Sequence, residues 1–152
     1  THVILPFTSA LAWICTSLIH FFDDNVIAAG KVISAPGGWA VSIEAGCNGV
    51  EAVIILAAAI LAFPAPWKHR IVGFVLGFFA IQGLNVVRII SLFYIGLWER
   101  NACIPGEVCH TVWFEWFHLY LWQALIILDA LVVWLIWLRY LPRTAPRRVA
   151  VA

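Results

Sequence analysis

Charged residues and methionine are scarce in this chain. Only 11% of its 152 residues are charged and none is methionine, whereas 64% are hydrophobic. So little charge excludes an ordinary soluble domain and indicates an integral membrane protein, for which we expect no nucleic-acid partner. Because the chain starts at Thr1 and lacks methionine, we expect its natural N-terminus to lie upstream.

Polar linkers and internal repeats are also missing, so residues 1–152 are predicted to form a single membrane domain. The predicted fold class is an all-α multi-pass membrane protein with about four to five apolar helices, three of them spans. A small β-hairpin on the outer face is expected before the second helix. Nine tryptophans, many near predicted helix ends, fit the aromatic belt of a membrane interface.

Two apolar segments come first, and a span needs roughly 20 apolar residues. The first, Pro6 to Phe22, is short, so it either spans the membrane or lies in the interface as an amphipathic helix. The second covers residues 47–63 and stops at the prolines of FPAPWKHR. Lys68 and Arg70 in that stretch predict a turn on the cytoplasmic side.

The third apolar run, Ile71 to Trp98, would be roughly 42 Å long as one helix, which exceeds a bilayer core of about 30 Å. It should therefore break or overshoot, and Gly83 and Asn85 are the expected break points. The fourth helix is predicted from about Trp113 to Tyr140, and the arginines of RYLPRTAPRR mark its cytoplasmic end. Its start then lies outside.

A hairpin is predicted between the first two helices. In NVIAAGKVISAPGGWAVSIEAG, two stretches rich in Val and Ile flank APGG, which is typical of a β-hairpin with a glycine turn. The predicted hairpin leads directly into Cys47.

This topology brings three reactive side chains to one depth. Cys47 begins the second helix outside, His118 lies in the first turns of the fourth, and Arg88 is roughly 27 Å above the turn at Arg70. A thiol, a guanidinium and an imidazole are the groups that thiol-based acyl transfer needs. The helix start would lower the thiol pKa, the guanidinium would stabilise an oxyanion, and the imidazole would move the proton.

Four further residues are predicted to support this trio or to contact a substrate. Glu115 would orient the imidazole, and Asn85 would hold the guanidinium or the substrate. Asn48 and Glu51 follow the thiol by one and four residues. Cys103 and Cys109, in CIPGEVC, are expected to form a disulfide, which would leave the other outer cysteine free.

Simpler interpretations stay open. Cys47 could be a packing residue, Arg88 an anchor that snorkels to the interface, and His118 a helix cap. We expect Cys15 to be a small packing residue and Asp129 to make a buried packing contact. His69 is expected on the cytoplasmic side. His20 and His110 are expected on the outer side, where they are alternatives to His118.

Three segments, GCNGVEAV, NVVRIISLFYIG and FEWFHLYLWQALIILDALVVWLIW, resemble the exosortase/archaeosortase family of membrane-embedded cysteine transpeptidases, most closely exosortase H. The family's catalytic positions carry over as Cys47, Arg88 and His118, and its usual CSG reads Cys-Asn-Gly here. The resemblance implies a bacterial inner-membrane enzyme whose active site faces the periplasm. Its substrates would be secreted proteins with a C-terminal motif of the Ile-Pro-Thr-Leu type, a transmembrane helix and a basic tail. Membrane lipid would surround it, and no metal or cofactor is expected.

Two other functions are compatible with the sequence. A quinone-linked membrane thiol oxidoreductase would use the outer cysteines, although the chain has no C-x-x-C motif. A non-catalytic membrane subunit would bury Arg88 against Asp129 as a charge pair.

Overall fold

The computed structural model describes residues 4–44, 46–103 and 111–141. Within these ranges the chain is mostly helical with one small sheet. The elements in chain order are α1 Ile4–Ile19, β1 Ile27–Ala29, β2 Val32–Ser34, β3 Ala40–Ser42, α2 Val50–Ala62, α3 Trp67–Ala102, α4 Val112–Trp116, a π-helical turn Phe117–Leu121, and α5 Trp122–Arg139.

Among the described residues, two helical segments are long and apolar enough to cross a membrane. They are α3, with 36 residues, and the continuous run of α4, the π-helical turn and α5, with 28. Within the described structure only 39% and 17% of their most apolar stretches are buried, whereas the core helix of a soluble protein is mostly buried. The other two helices, α1 and α2, have 16 and 13 residues. They are shorter than the roughly 20 residues of a span, so the expected count of three spans is not confirmed.

The predicted break in the third apolar run is wrong. α3 continues through Gly83 and Asn85 without interruption and is about 54 Å long at helical rise. A break would leave backbone amides without partners in apolar surroundings, whereas a continuous helix pairs them all. The run therefore overshoots, which was the other expectation.

The sheet contains one strand more than the predicted hairpin. Its order is β1-β2-β3 with antiparallel neighbours. The turn at APGG joins β2 to β3 as expected, but the first Val/Ile stretch folds back on itself at Gly30 and Lys31. Gly30 has φ +62°, which suits the first position of a two-residue hairpin loop.

Two hydrophobic cores lie along α3. The first packs α1 and the sheet against the second half of α3, and Ile19, Ile33 and Phe93 are fully buried in it. The second packs α2 and α5 against the first half, around Leu56 and Trp137. α3 is therefore the element that both halves of the bundle share.

Small residues on α3 admit large side chains from its neighbours. A Cβ at Gly73 would overlap the indole of Trp137, and one at Gly77 would overlap Leu56. The close approach lets Trp137 Nε1 donate a hydrogen bond to the His69 carbonyl at 2.9 Å. This glycine pair thus serves packing within the chain.

A tryptophan clamp fastens the sheet to the other end of α3. Trp39 Nε1 donates to the Phe93 carbonyl at 3.1 Å, and its ring lies so close to Gly96 that a Cβ there would overlap it. The same ring meets Phe114 edge-on at 5.5 Å between centroids. One side chain therefore joins the sheet, α3 and α4.

The clamp makes a testable prediction about two glycines of one helix. Gly96→Ala should destabilise the protein by about 1–3 kcal/mol, because the new methyl group displaces the Trp39 ring. Gly83→Ala, where a Cβ meets nothing within 4 Å, is the matched control and should gain up to about 1 kcal/mol from helix propensity. Thermal unfolding in detergent measures both. Equal effects of the two substitutions would contradict the clamp.

Candidate active site

A cavity of about 280 Å³ lies where the sheet, α3 and α4 meet. We call it the Cys47 cavity. Its lining consists of residues 39–44 from β3 and its flanks, then Cys47, Arg88, Ile89, Leu92, Phe114 and His118. A thiol, a guanidinium and an imidazole therefore share one small cavity, which Ser42 and Glu44 also line.

Cys47 lies in a bend between β3 and α2. Its backbone N–H donates to the Glu44 carbonyl at 3.0 Å, and the bend passes through Gly46 and Gly49 with φ of +89° and +71°. Gly49 is the N-cap of α2, so Cys47 precedes the helix instead of beginning it. Glycine tolerates these positive φ values without strain, which allows the chain to turn so sharply beside the thiol.

The cysteine, histidine and arginine side chains are close together. Cys47 Sγ lies 3.5 Å from His118 Nε2 and 3.7 Å from its Nδ1. Arg88 Nη2 donates to the same sulfur at 3.9 Å, and Nη1 donates to the Gly46 carbonyl at 3.4 Å. The structure thus brings together the three residues that the sequence predicts, while their catalytic roles stay a prediction.

Burial raises the pKa of the Cys47 thiol above its ordinary value. The Arg88 charge opposes this rise, and the carboxylates of Glu51 and Glu44 add to it. The expected lowering of the thiol pKa by a helix start is therefore wrong, because the thiol lies before the helix and burial outweighs the Arg88 charge. At neutral pH the resting group is the thiol, so it needs a base, and the His118 imidazole is within reach.

Arg88 is almost completely buried, with 1% of its surface exposed. Among the described residues the only ion pair joins Lys31 to Glu44, so Arg88 is not paired with Asp129. The charge pair required by the non-catalytic interpretation is thus not formed. A buried cation without a carboxylate partner is costly, and the group that it faces here is the thiol.

A profile described as transmembrane exosortase matches residues 1–128. The chain belongs to the transmembrane exosortase family. It is accordingly a membrane protein, in agreement with its two long apolar helices. Searches of curated proteins and of solved structures each returned no match. The family assignment expected from the sequence is confirmed.

In this exosortase Asn48 has a local structural contact. Its Oδ1 accepts a hydrogen bond from the Val50 N–H at 3.1 Å, and its side chain is buried. A side-chain amide that bonds the backbone two residues on stabilises a turn. Asn48 therefore holds the bend that presents Cys47.

Asn85 lies below that bend, one turn before Arg88 on α3. It is 1% exposed, and a Cβ on Gly49 would touch its side chain at 3.3 Å. Neither the oxygen nor the nitrogen of its side-chain amide hydrogen-bonds to another described residue, so Asn85 does not hold the Arg88 guanidinium. Its contact with a substrate stays a prediction, and Asn85 is not among the residues that line the Cys47 cavity.

The two predicted carboxylates do not join the site. Glu115 is exposed and makes no hydrogen bond to His118 within the described part of the chain. Glu51 is exposed in the first turn of α2 and acts on Cys47 only through its charge. The expectation that Glu115 orients the imidazole is therefore wrong.

Glu99 was not singled out from the sequence, although it fixes the helix that carries His118. Its two carboxylate oxygens accept hydrogen bonds from the backbone N–H groups of Trp113 and Phe114, each at 2.8 Å. These donors at the start of α4 have no partner within the helix, and a negative charge is favoured there. A buried glutamate at the end of an apolar run is the signal that could have identified it.

The remaining cysteines and histidines lie apart from the trio or outside the described residues. Cys103 is disulfide-bonded, while Cys109 and His110 lie outside the described ranges, so the pairing of the two cysteines stays a prediction. His20 follows the end of α1, and its Nε2 is 2.6 Å from the Val26 carbonyl. Cys15 is buried as a free thiol. No described cluster of three or more His, Cys, Asp or Glu side chains could hold a metal ion.

The electrostatic coupling between Arg88 and Cys47 can be tested by alkylation. In a Cys15→Ala background, Arg88→Gln should move the pH profile of iodoacetamide modification upward by about one unit or more, because it removes a cation that favours the thiolate. Arg100→Gln, an exposed cation of the same helix, should leave the profile unchanged. A profile that stays or moves to lower pH in Arg88→Gln would refute the coupling, provided that thermal unfolding shows a folded protein.

The carboxylate cap can be tested by neutralising it. Glu99→Gln should cost about 1–2 kcal/mol of stability and accelerate hydrogen exchange of residues 111–121, because one oxygen and the negative charge at the α4 start are lost. Glu115→Gln, an exposed residue, is the control and should change neither quantity measurably. Mass spectrometry of exchanged peptides and thermal unfolding give the result. Identical exchange in both variants would show that the cap is dispensable.

Proposed function

We propose that this exosortase is a cysteine transpeptidase or protease that cleaves the C-terminal sorting tails of secreted proteins. The observation that carries the proposal is the 3.5 Å distance from Cys47 Sγ to the imidazole of His118, with the Arg88 guanidinium at 3.9 Å. A nucleophile, a base within hydrogen-bond reach and a fixed cation are the parts that acyl transfer needs. Family membership supports the same reaction class.

The reaction divides into two steps with balanced proton transfer. His118 takes the thiol proton as Cys47 Sγ attacks the scissile carbonyl, and Arg88 stabilises the oxyanion. The carbon–nitrogen bond then breaks, His118 gives its proton to the leaving amine, and a thioester remains. In the second step an amine or water attacks the thioester carbon and His118 accepts its proton. The carbon–sulfur bond then breaks, and the proton returns to the released sulfur.

The membrane setting supports an active site on the outer face of a bacterial inner membrane. The basic turn that holds Lys68 and Arg70 lies at the beginning of α3, whereas Arg88 lies about 30 Å further along the same helix at helical rise. Basic turns favour the cytoplasmic side, so the Cys47 cavity would face the periplasm in a multi-pass protein.

The proposed substrate carries a motif of the Ile-Pro-Thr-Leu type, a transmembrane helix and a basic tail. A tail helix that diffuses in the bilayer would present its motif at the depth of the Cys47 cavity, because both are positioned by the same membrane. The thiol oxidoreductase is not favoured. Cys47 lies against an imidazole and a guanidinium, Cys15 is buried, and Cys103 is already disulfide-bonded.

Co-expression with a reporter tests the proposed function. The reporter is a secreted protein that ends in Ile-Pro-Thr-Leu, an apolar helix and a basic cluster, and its C-terminal mass is measured after purification. Wild type and Cys15→Ala should both shorten the reporter, whereas Cys47→Ala should reduce the shortening to background because the nucleophile is missing. If Cys47→Ala processed the reporter at the rate of Cys15→Ala, the result would contradict the mechanism.

A further inference from the structure

β3 forms one side of the Cys47 cavity and has an open edge. Within the described residues it pairs with β2 alone, since the sheet order is β1-β2-β3. Its three residues, Ala40–Ser42, all line the cavity, as do the residues on either side of them. An exposed strand edge is a ready template for another strand, and proteins usually cover or blunt it.

The register shows which backbone groups point to the open side. The Ala35 N–H donates to the Trp39 carbonyl and the Ile43 N–H donates to the Lys31 carbonyl, each at 2.9 Å, across the β2–β3 ladder. Successive residues of an antiparallel strand alternate between inward and outward backbone groups. Since Trp39 and Ile43 face β2, the N–H and C=O groups of Ala40 and Ser42 face away from it.

The position of this edge is held from both ends. The Trp39 clamp fastens the strand to α3 at one end. At the other, Ser42 Oγ donates to a Glu44 carboxylate oxygen at 2.8 Å, and Lys31 pairs with the same carboxylate. Cys47 follows only five residues after Ser42, so the free edge and the thiol are close in sequence.

The rest of the cavity suits a peptide with apolar side chains. Ile89, Leu92 and Phe114 line it, and their groups offer contacts to apolar atoms but none to a polar backbone. An extended chain that enters needs hydrogen-bond partners for its own N–H and C=O groups, and the outward groups of β3 supply them. A lipid acyl chain would need none.

We propose that an extended segment of the polypeptide substrate adds to β3 as a fourth strand and that this pairing delivers the scissile carbonyl to Cys47. The inference rests on the proposed function and deepens it, because it assigns substrate recognition to the backbone of Ala40 and Ser42. Main-chain pairing gives affinity in such strand addition, and pockets for alternate side chains give specificity. Here Ile89, Leu92 and Phe114 form the pocket wall.

Proline substitutions in β3 distinguish the role of its outward N–H groups from that of its inward N–H groups. Ser42→Pro removes an outward N–H, so it should reduce reporter processing about five- to ten-fold without lowering the thermal midpoint. Val41→Pro removes an inward N–H of the β2–β3 ladder and should lower the thermal midpoint. Ser42→Ala removes only the hydroxyl contact to Glu44, so the loss of processing in Ser42→Pro beyond that in Ser42→Ala measures the contribution of the N–H.

The substrate side is tested with synthetic peptides that carry Ile-Pro-Thr-Leu and eight flanking residues. Their binding to the Cys47→Ala protein in detergent is measured by fluorescence anisotropy, which needs no turnover. N-methylation should weaken binding at every second residue, because only alternate N–H groups face β3. Uniform effects along the peptide, together with unimpaired processing by Ser42→Pro, would overturn strand addition. Absence of reporter processing by the wild type would instead refute the proposed function, and the inference with it.

Discussion

Apolar surroundings leave backbone amides no partner but each other, and α3 remains a single helix of 36 residues for that reason. The unbroken helix sets the spacing of everything attached to it. Its glycines admit α2 and α5 in the first half, whereas Arg88, the Phe93 carbonyl and Glu99 follow in the second. A kink at Gly83 would rotate these groups relative to one another, and the Cys47 cavity would lose its walls.

Three separate contacts with α3 position the reactive groups. Glu99 caps α4 and thereby positions the turn with His118, Trp39 clamps the sheet, and Arg88 bonds the Gly46 carbonyl beside the thiol. Each contact joins α3 to a different segment. α3 thus carries one member of the trio and holds the two segments that carry the others, although the three are distant in sequence.

The long apolar helices could be predicted from the length of their apolar runs and the charges at their ends. The proximity of Cys47, Arg88 and His118 could be predicted as well. The details that failed depend on tertiary contacts. The π-helical turn at residues 117–121 has no local sequence signal, and the cap by Glu99 links residues 14 positions apart. The thiol pKa is raised instead of lowered because the thiol is buried. That burial depends on packing between segments that are distant in sequence.

The raised thiol pKa also has a consequence for the proposed function, in which the site faces the oxidising periplasm. Thiolates, not thiols, react with oxidants and disulfides, so a protonated and half-buried Cys47 is protected at rest. In the proposed mechanism His118 accepts the proton when a substrate carbonyl lies against the sulfur, and the imidazole is already 3.5 Å away. Arg88 limits how far burial suppresses the thiolate, since its charge acts on the same sulfur. In that mechanism two fixed neighbours balance protection and reactivity, because one removes the proton and the other stabilises the anion left behind.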